Sequence, residues 1–299
     1  MAIQRQSVQV SVPASTSNLG SGFDTLGLAL KIHNRYRIRR VSTPGVRYIS
    51  SVPSEVRVGQ KLAASAARCF FKRTGIPPFG VEAYCRSEIP VGRGLGASAA
   101  IWVGIIAGLN ALTGEPLQRS DVFQLVANEE GHPDNAGPEV YGGFTVAGKV
   151  GKLYELLRFP VSPRFRFHLL IPDQELSTDK ARKVLPKQYS RADCAHALNR
   201  SAFIAAAFAS GEIDRLQGWF DDRFHEPYRA KLLPWLRPVV AAAVKAGAIG
   251  GFLSGAGSGV VCVGLRSNTR ISAAMAEAGR GMRVITCPAE NPGYRVSGQ

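Results

Sequence analysis

Near the start of the chain Val8, Val10 and Val12 alternate with polar residues. This is the period of a half-buried strand, which Pro13 is expected to stop. A loop rich in Gly, Ser and Asn follows over 14–24. Residues 35–41 alternate again, with Arg35, Arg37 and Arg39 on one face, the pattern of a solvated edge strand guarded by charge. Leu62, Ala66, Cys69 and Phe70 share one side of a helical period over 61–72, and 81–89 reads as a strand. A glycine-rich turn, Pro90 to Ser98, then feeds an Ala/Ile-rich helix that Gly114 and Pro116 end near 113. That helix is apolar nearly all round and should be buried. A further helix is expected from an N-cap at Ser120 to about Glu130, with Asp121 in its first turn suiting the dipole.

Pro160 and Pro163 bracket a linker, and the domain boundary is placed near 162, giving domains 1–162 and 163–299. Beyond it, 165–171 reads as strand and 178–185, 191–210, 213–220 and 236–246 as helices. A second glycine-rich stretch, 250–259, precedes a strand over 260–264. No internal repeat or low-complexity tract stands out.

Composition narrows the class. The chain has 299 residues, a length that suits two domains, and 45% hydrophobic residues with 32 Gly exclude disorder as the dominant state. The net charge of +15, from 37 Lys+Arg against 22 Asp+Glu, suits a nucleic acid, an anionic membrane or an anionic small substrate such as a nucleotide phosphate. Residues 1–12 lack the apolar core of a secretory signal. The longest apolar run, 97–109, is shorter than the roughly 18 residues of a membrane span. Five scattered cysteines without a CxxC pair suggest reduced thiols in a cytoplasmic protein, not a disulfide framework or a zinc site.

The turn Gly92-Arg-Gly-Leu-Gly-Ala-Ser98 has the make-up of an anion cradle. Its glycines let backbone N–H groups approach phosphates, and the helix N-terminus adds unsatisfied donors and about half a positive charge. No Gly-Lys-Ser/Thr ends it, so it is not a Walker A loop. The strand and acid that a dinucleotide fingerprint needs do not follow the helix. A turn that merely packs helix on strand remains the alternative. Glu129 and Glu130 sit at the unfavourable end of their helix. A magnesium ion held by Glu130 and Ser98 would offset that charge, and two solvated acids would need no ion. His132-Pro-Asp-Asn135 is either site chemistry or an Asx turn. Asp24, among the few acids of a basic N-terminal stretch, suits a substrate ammonium or local charge pairing. Arg182 and Arg229 offer carboxylate forks, although nothing local separates them from solvated arginines. Gly255-Ala-Gly-Ser-Gly259 is a second glycine nest or a tight helix-to-strand connection.

In order along the chain, VPASTSNLGSGFDTLGLAL, IPVGRGLGASAA, EEGHPDNAGPEVYGGF, LSTDKARKVLP, FHEPYRAKLLP and GFLSGAGSG resemble the homoserine kinase family. That family belongs to the superfamily of galactokinase, homoserine kinase, mevalonate kinase and phosphomevalonate kinase. The loop PxxxGLGxSAA marks the superfamily; the first loop, GHPDN and the two Arg segments narrow it. The resemblance implies an α+β fold of two domains, an ATP-binding domain like ribosomal protein S5 domain 2 over 1–162 and a ferredoxin-like kinase domain over 163–299. It implies ATP phosphates on Pro90, Val91, Gly92, Arg93, Gly94, Leu95, Gly96, Ala97, Ser98 and Ala99. It further implies Mg²⁺ on Ser98 and Glu130, an L-homoserine ammonium at Asn18 and Asp24, and its carboxylate at Arg182 and Arg229. Thr178 would sit near that clamp, Asn135 near the reacting hydroxyl, and His132 beside the site. Lys61 stands where the family has an adenine-contacting Asn, and Ala97 replaces the first Ser of GLGSSA. The activity implied is ATP-dependent phosphorylation of L-homoserine in threonine biosynthesis, in the cytoplasm, with neither nucleic acid nor membrane as partner and a homodimer left open. Two alternatives stand beside it: a kinase of another small alcohol such as threonine, and a catalytically dead, basic nucleic-acid-binding protein on the same fold.

Overall fold

The computed structural model describes residues 6–266 and 268–298. Strands β1 (Ser7–Ser17) and β2 (Leu26–Val41) form a long antiparallel pair. β1 runs through Pro13 instead of stopping there, because the register shifts between Pro13 and Ala14. A residue without an N–H is tolerated where a bulge interrupts the ladder. The glycine-rich loop is correspondingly shorter than expected.

β3 (Val46–Ser50), helix α1 (Val56–Thr74) and β4 (Gly80–Arg86) follow. β4 pairs antiparallel with β2 and parallel with β3. β2 is therefore an interior strand, bonded to β1, β4 and β5 (Phe144–Val150), and not the edge its arginines suggested. Tyr36 and Ile38 are buried on one face. On the other, Arg39 meets Glu82 at 2.7 Å and Arg35 meets Glu88 at 2.5 Å. Alternation within one strand tells which face is wet, not which strands lie beside it.

Helix α2 (Ala97–Leu112) is buried at every residue but Ser98. It can lie this close to β2 because a Cβ on Gly104 would come within 2.5 Å of the Tyr36 ring, and one on Gly108 within 2.4 Å of Ile38. Helix α3 (Arg119–Glu130) is capped by Gln118 in a reciprocal box with Asp121, so Ser120 is not its N-cap. The short helix α4 (Ala136–Tyr141), β5 and β6 (Leu153–Phe159) complete the first half.

The second half begins with β7 (Phe165–Ile171), α5 (Thr178–Lys183) and α6 (Arg191–Ser210). The helix expected over 213–220 is reduced to a 3₁₀ turn, Ile213–Leu216. Then come α7 (Glu226–Arg229), α8 (Leu236–Lys245), β8 (Gly250–Leu253), β9 (Val260–Leu265), α9 (Thr269–Ala278), β10 (Arg283–Cys287) and β11 (Arg295–Gly298). A four-stranded antiparallel sheet, β10-β7-β9-β8, carries α8 and α9. The result is the expected α+β arrangement with two sheets. The strand partition crosses the expected boundary once: β11 returns to pair antiparallel with β1 as the seventh strand of the larger sheet. The main apolar cluster joins α1, α2 and α3 to the large sheet and continues into β7, β9 and α6, while a smaller one lies under α8 and α9. Among the described residues no helix is long and apolar enough to cross a membrane.

Candidate active site

The glycine turn before α2 is shaped by what it rests on. Gly94 and Gly96 have φ of +69° and +73°, a region that costs an L side chain about 1–2 kcal/mol. A Cβ on Gly94 would stand 1.8 Å from the Ser254 carbonyl oxygen, and one on Gly96 would stand 2.0 Å from Ser15 Oγ and 2.1 Å from Glu139 Oε1. Gly96 is also the N-cap of α2 and brings no side-chain cap. The first-turn N–H groups of a buried helix are thus left to an anion.

The second glycine nest locks against this turn. Ser254 Oγ donates to the Gly94 carbonyl at 2.8 Å, and the Gly259 N–H donates to the Arg93 carbonyl at 3.2 Å. Arg93 itself turns away from the cradle. Its Nε donates to the Pro172 carbonyl at 2.9 Å, and its guanidinium pairs with Glu175 at 2.9 Å, which fastens the turn to the second half.

A cavity of about 130 Å³ opens between the turn and the second half. At one end Ser98 Oγ donates to Glu130 Oε1 at 2.6 Å. Burial pushes the Glu130 carboxyl up, against the pull of that hydrogen bond. A hydroxyl and a carboxylate, both hard oxygen donors, thus adjoin an anion cradle, and this donor set fits a magnesium ion. The neighbouring Glu129 is exposed and, among the described residues, engages only the Cys69 thiol, at 3.8 Å.

At the other end Arg182 grips Asp24 with both prongs, at 3.0 and 2.7 Å. Arg229, 2% exposed, donates to the carbonyls of Ala181 (3.1 Å) and Gly255 (3.0 Å) and lies 3.1 Å from His225 Nδ1. Burial, and then the Arg182 charge, bring its pKa down to about 10, so this corner favours an added anion. Asn18 is committed to the backbone: its Nδ2 donates to the Gly255 carbonyl at 3.0 Å and its Oδ1 accepts from the Asp24 N–H at 3.0 Å. Between the two ends, His132 Nδ1 lies 2.6 Å from Asp134 Oδ1. Burial opposes the His132 charge, but the Asp134 hydrogen bond and charge raise its pKa to about 9. Asp24, His132 and Asp134 bring ligand-type atoms within 4.8 Å of one another, with Arg182 and His132 already answering the two carboxylates.

Asn18, Asp24, Ser98, Glu130, His132, Asn135, Thr178, Arg182 and Arg229 all line this cleft, with Val91, Gly92 and Gly94 to Ala97 of the turn. Pro90, Arg93, Ala99 and Lys61 do not; Lys61 is exposed on α1 and Ala99 is buried in α2. The sequence reading missed Asp134, Ser15, Glu139, His225 and Phe23, over whose ring both cleft arginines lie at 5.3 and 5.4 Å. Asp134 was legible within the HPDN run. Ser15 and Glu139 are 124 residues apart in the chain, and no spacing signal joins them.

The family model described as GHMP kinases N terminal domain matches residues 61–143, and that described as GHMP kinases C terminal matches 199–281. The chain is 42% identical over 263 residues to the homoserine kinase of Deinococcus radiodurans, covering 85% of this chain and 83% of that protein. It is 37% identical over 270 residues to that of Moorella thermoacetica, covering 90% and 91%. Its structure superposes on a crystal structure of homoserine kinase from Cytophaga hutchinsonii with a TM-score of 0.88 at 25% identity, covering 99% of each chain. The L. major mevalonate kinase structure, at a TM-score of 0.73 and 15% identity over 94% of this chain and 95% of that one, shares the fold.

Proposed function

The chain belongs to the homoserine kinase family of the GHMP kinases, and from that premise we propose that it transfers the γ-phosphoryl group of ATP to the side-chain hydroxyl of L-homoserine, forming O-phospho-L-homoserine. The observation that carries this reading is a cleft with an anion cradle at one end and, at the other, Asp24 paired with Arg182 and a second, buried arginine, Arg229, lining the same cleft. A zwitterionic amino acid needs both charges at that second end.

The N–H groups at the start of α2 hold the phosphates. Ser98 and Glu130 would hold a magnesium ion, which when bound neutralises charge on the phosphate oxygens. The substrate carboxylate takes the forks of Arg182 and Arg229, and its ammonium takes the Asp24 carboxylate beside Asn18. Without substrate, Asp24 and Arg182 satisfy each other and Arg229 holds only neutral acceptors among the described residues, so binding exchanges one ion pair for two and brings Arg229 a counter-charge. Thr178 borders this clamp and His132 stands beside it. Asn135 orients the hydroxyl for in-line attack, and the proton leaves to phosphate or solvent. Positioning and charge neutralisation supply the catalysis.

A coupled ADP-release assay over homoserine, threonine, serine and mevalonate tests the reading. Homoserine is expected to give the highest kcat/KM. Turnover of homoserine no faster than that of the other alcohols overturns it.

A further inference from the structure

Glu139 and Ser15 are both fully buried, directly beneath the cradle at Gly96. Ser15 Oγ lies 2.7 Å from Glu139 Oε1 and 2.9 Å from Asn135 Oδ1. The hydroxyl therefore has two acceptor oxygens within donating distance and one hydrogen to give. Turning the Asn135 amide over would relieve the excess, but Asn135 Nδ2 faces Asp134 Oδ1 at 3.4 Å. The turned amide would set two acceptor oxygens against each other there. With the amide this way round, the second hydrogen comes from Glu139.

We propose that Glu139 is a positioning residue that works as a neutral carboxylic acid. It donates to Ser15 Oγ, Ser15 donates to Asn135 Oδ1, and this one-way chain aims the Asn135 NH₂ group into the cleft. The inference rests on the reading of Asn135 as the residue that orients the acceptor hydroxyl.

Two further observations agree. Glu139 Oε2 is buried without a hydrogen-bond partner among the described residues, a position that a carboxylate charge could not occupy cheaply. Burial, with the Glu130 and Asp134 carboxylates adding to it against the Ser15 hydrogen bond, pushes the Glu139 carboxyl well up. A charged Glu139 would also lie under the same turn that receives phosphates; the neutral acid does not repel them. The Ser15 N–H donates to the Leu95 carbonyl at 3.2 Å, so one residue ties the phosphate cradle to the hydroxyl-orienting amide.

The test compares a donor with a non-donor of similar size. Glu139→Gln keeps a hydrogen to give to Ser15 and is expected to retain most of kcat. Glu139→Leu and Ser15→Ala break the chain and are expected to lower kcat by up to about 10²-fold, the scale of a misplaced reacting group, with KM for ATP little changed. A Gln variant as impaired as the Leu variant overturns the proposal, because the carboxylate would then be needed as a charge or a base. Infrared difference spectra of wild type against Glu139→Gln at neutral pH give a readout independent of turnover. The carbonyl band of a protonated carboxylic acid is expected in the wild type, and its absence overturns the proposal even where both variants are folded. The spectrum does not depend on which alcohol is phosphorylated, so failure of the homoserine assignment registers separately in the substrate screen.

Discussion

Arg182 and Arg229 look alike in the sequence and differ in the fold. The Arg182 side chain is 39% exposed and engages Asp24, whereas Arg229 is buried and holds two backbone carbonyls and His225. Arg182→Ala should therefore raise KM for homoserine far more than KM for ATP at nearly unchanged stability. Arg229→Ala should do the same and also lower stability by about 3 kcal/mol, since several buried acceptors lose their donor. Equal effects of Arg182→Ala on both KM values would argue against the carboxylate clamp. Buried histidines tilt the pH dependence of stability in opposite directions. His132 is held at about 9 by Asp134, above the ordinary value of about 6.5. Its contribution, about 3 kcal/mol, is complete below about pH 6.5 and is lost as pH rises through about 9. His225 and His168 are buried and lowered to about 4, so their contribution is present above about pH 6.5 and is lost as pH falls toward 4. Urea midpoints across this range should decline on both sides, and His132→Gln should remove much of the alkaline decline. An alkaline decline unchanged in that variant would dissociate it from the His132–Asp134 pair.

At the scale of elements, helix α2 shows how a local pattern becomes a site. Its all-round apolar sequence predicts burial, and burial is what leaves its N-terminal N–H groups facing a cleft instead of solvent. The Gly104 and Gly108 faces let β2 approach through Tyr36 and Ile38. Gly104→Leu should cost about 3 kcal/mol from overpacking, the upper end of the usual range, measured as a drop in the denaturant midpoint at constant m-value. A neutral result would mean that the helix can shift away from β2. Helix α1 was legible because its apolar face repeats over several turns, and α2 because it is apolar nearly all round between a glycine turn and a Gly/Pro stop. What escaped was decided by neighbours. Pro13 sits inside β1 because a bulge falls there, β2 is interior because β4 and β5 both reach it, and Gln118 outcompetes Ser120 as a cap through its reciprocal bond with Asp121.

For the whole molecule, the unexpected connection is β11, which leaves the second half to cover the open edge of β1. The preceding Tyr294 donates its N–H to the Glu139 carbonyl at 2.8 Å and lies under the Arg119 guanidinium at 4.4 Å. A chain stopped after Pro292 should lose at least about 2 kcal/mol, from the buried ring and the strand hydrogen bonds. An unchanged unfolding midpoint would show that the β1 edge needs no cover. The surplus of positive charge divides at this scale too: Arg182 and Arg229 face the cleft, while Arg35 and Arg39 meet acids on the surface of the large sheet. The sequence by itself determined the buried helix behind a glycine cradle, which follows from local periodicity and glycine chemistry, whereas the α+β class and most residues of the cleft came with the motif runs that resemble the homoserine kinase family. Tertiary structure alone decided that Arg93 turns away, that Asp24 and Arg182 neutralise each other, and that Ser15 and Glu139 meet beneath the cradle. Hydrogen-bond partners and buried charge depend on distances between segments more than a hundred residues apart, and those distances exist only once the two sheets have packed.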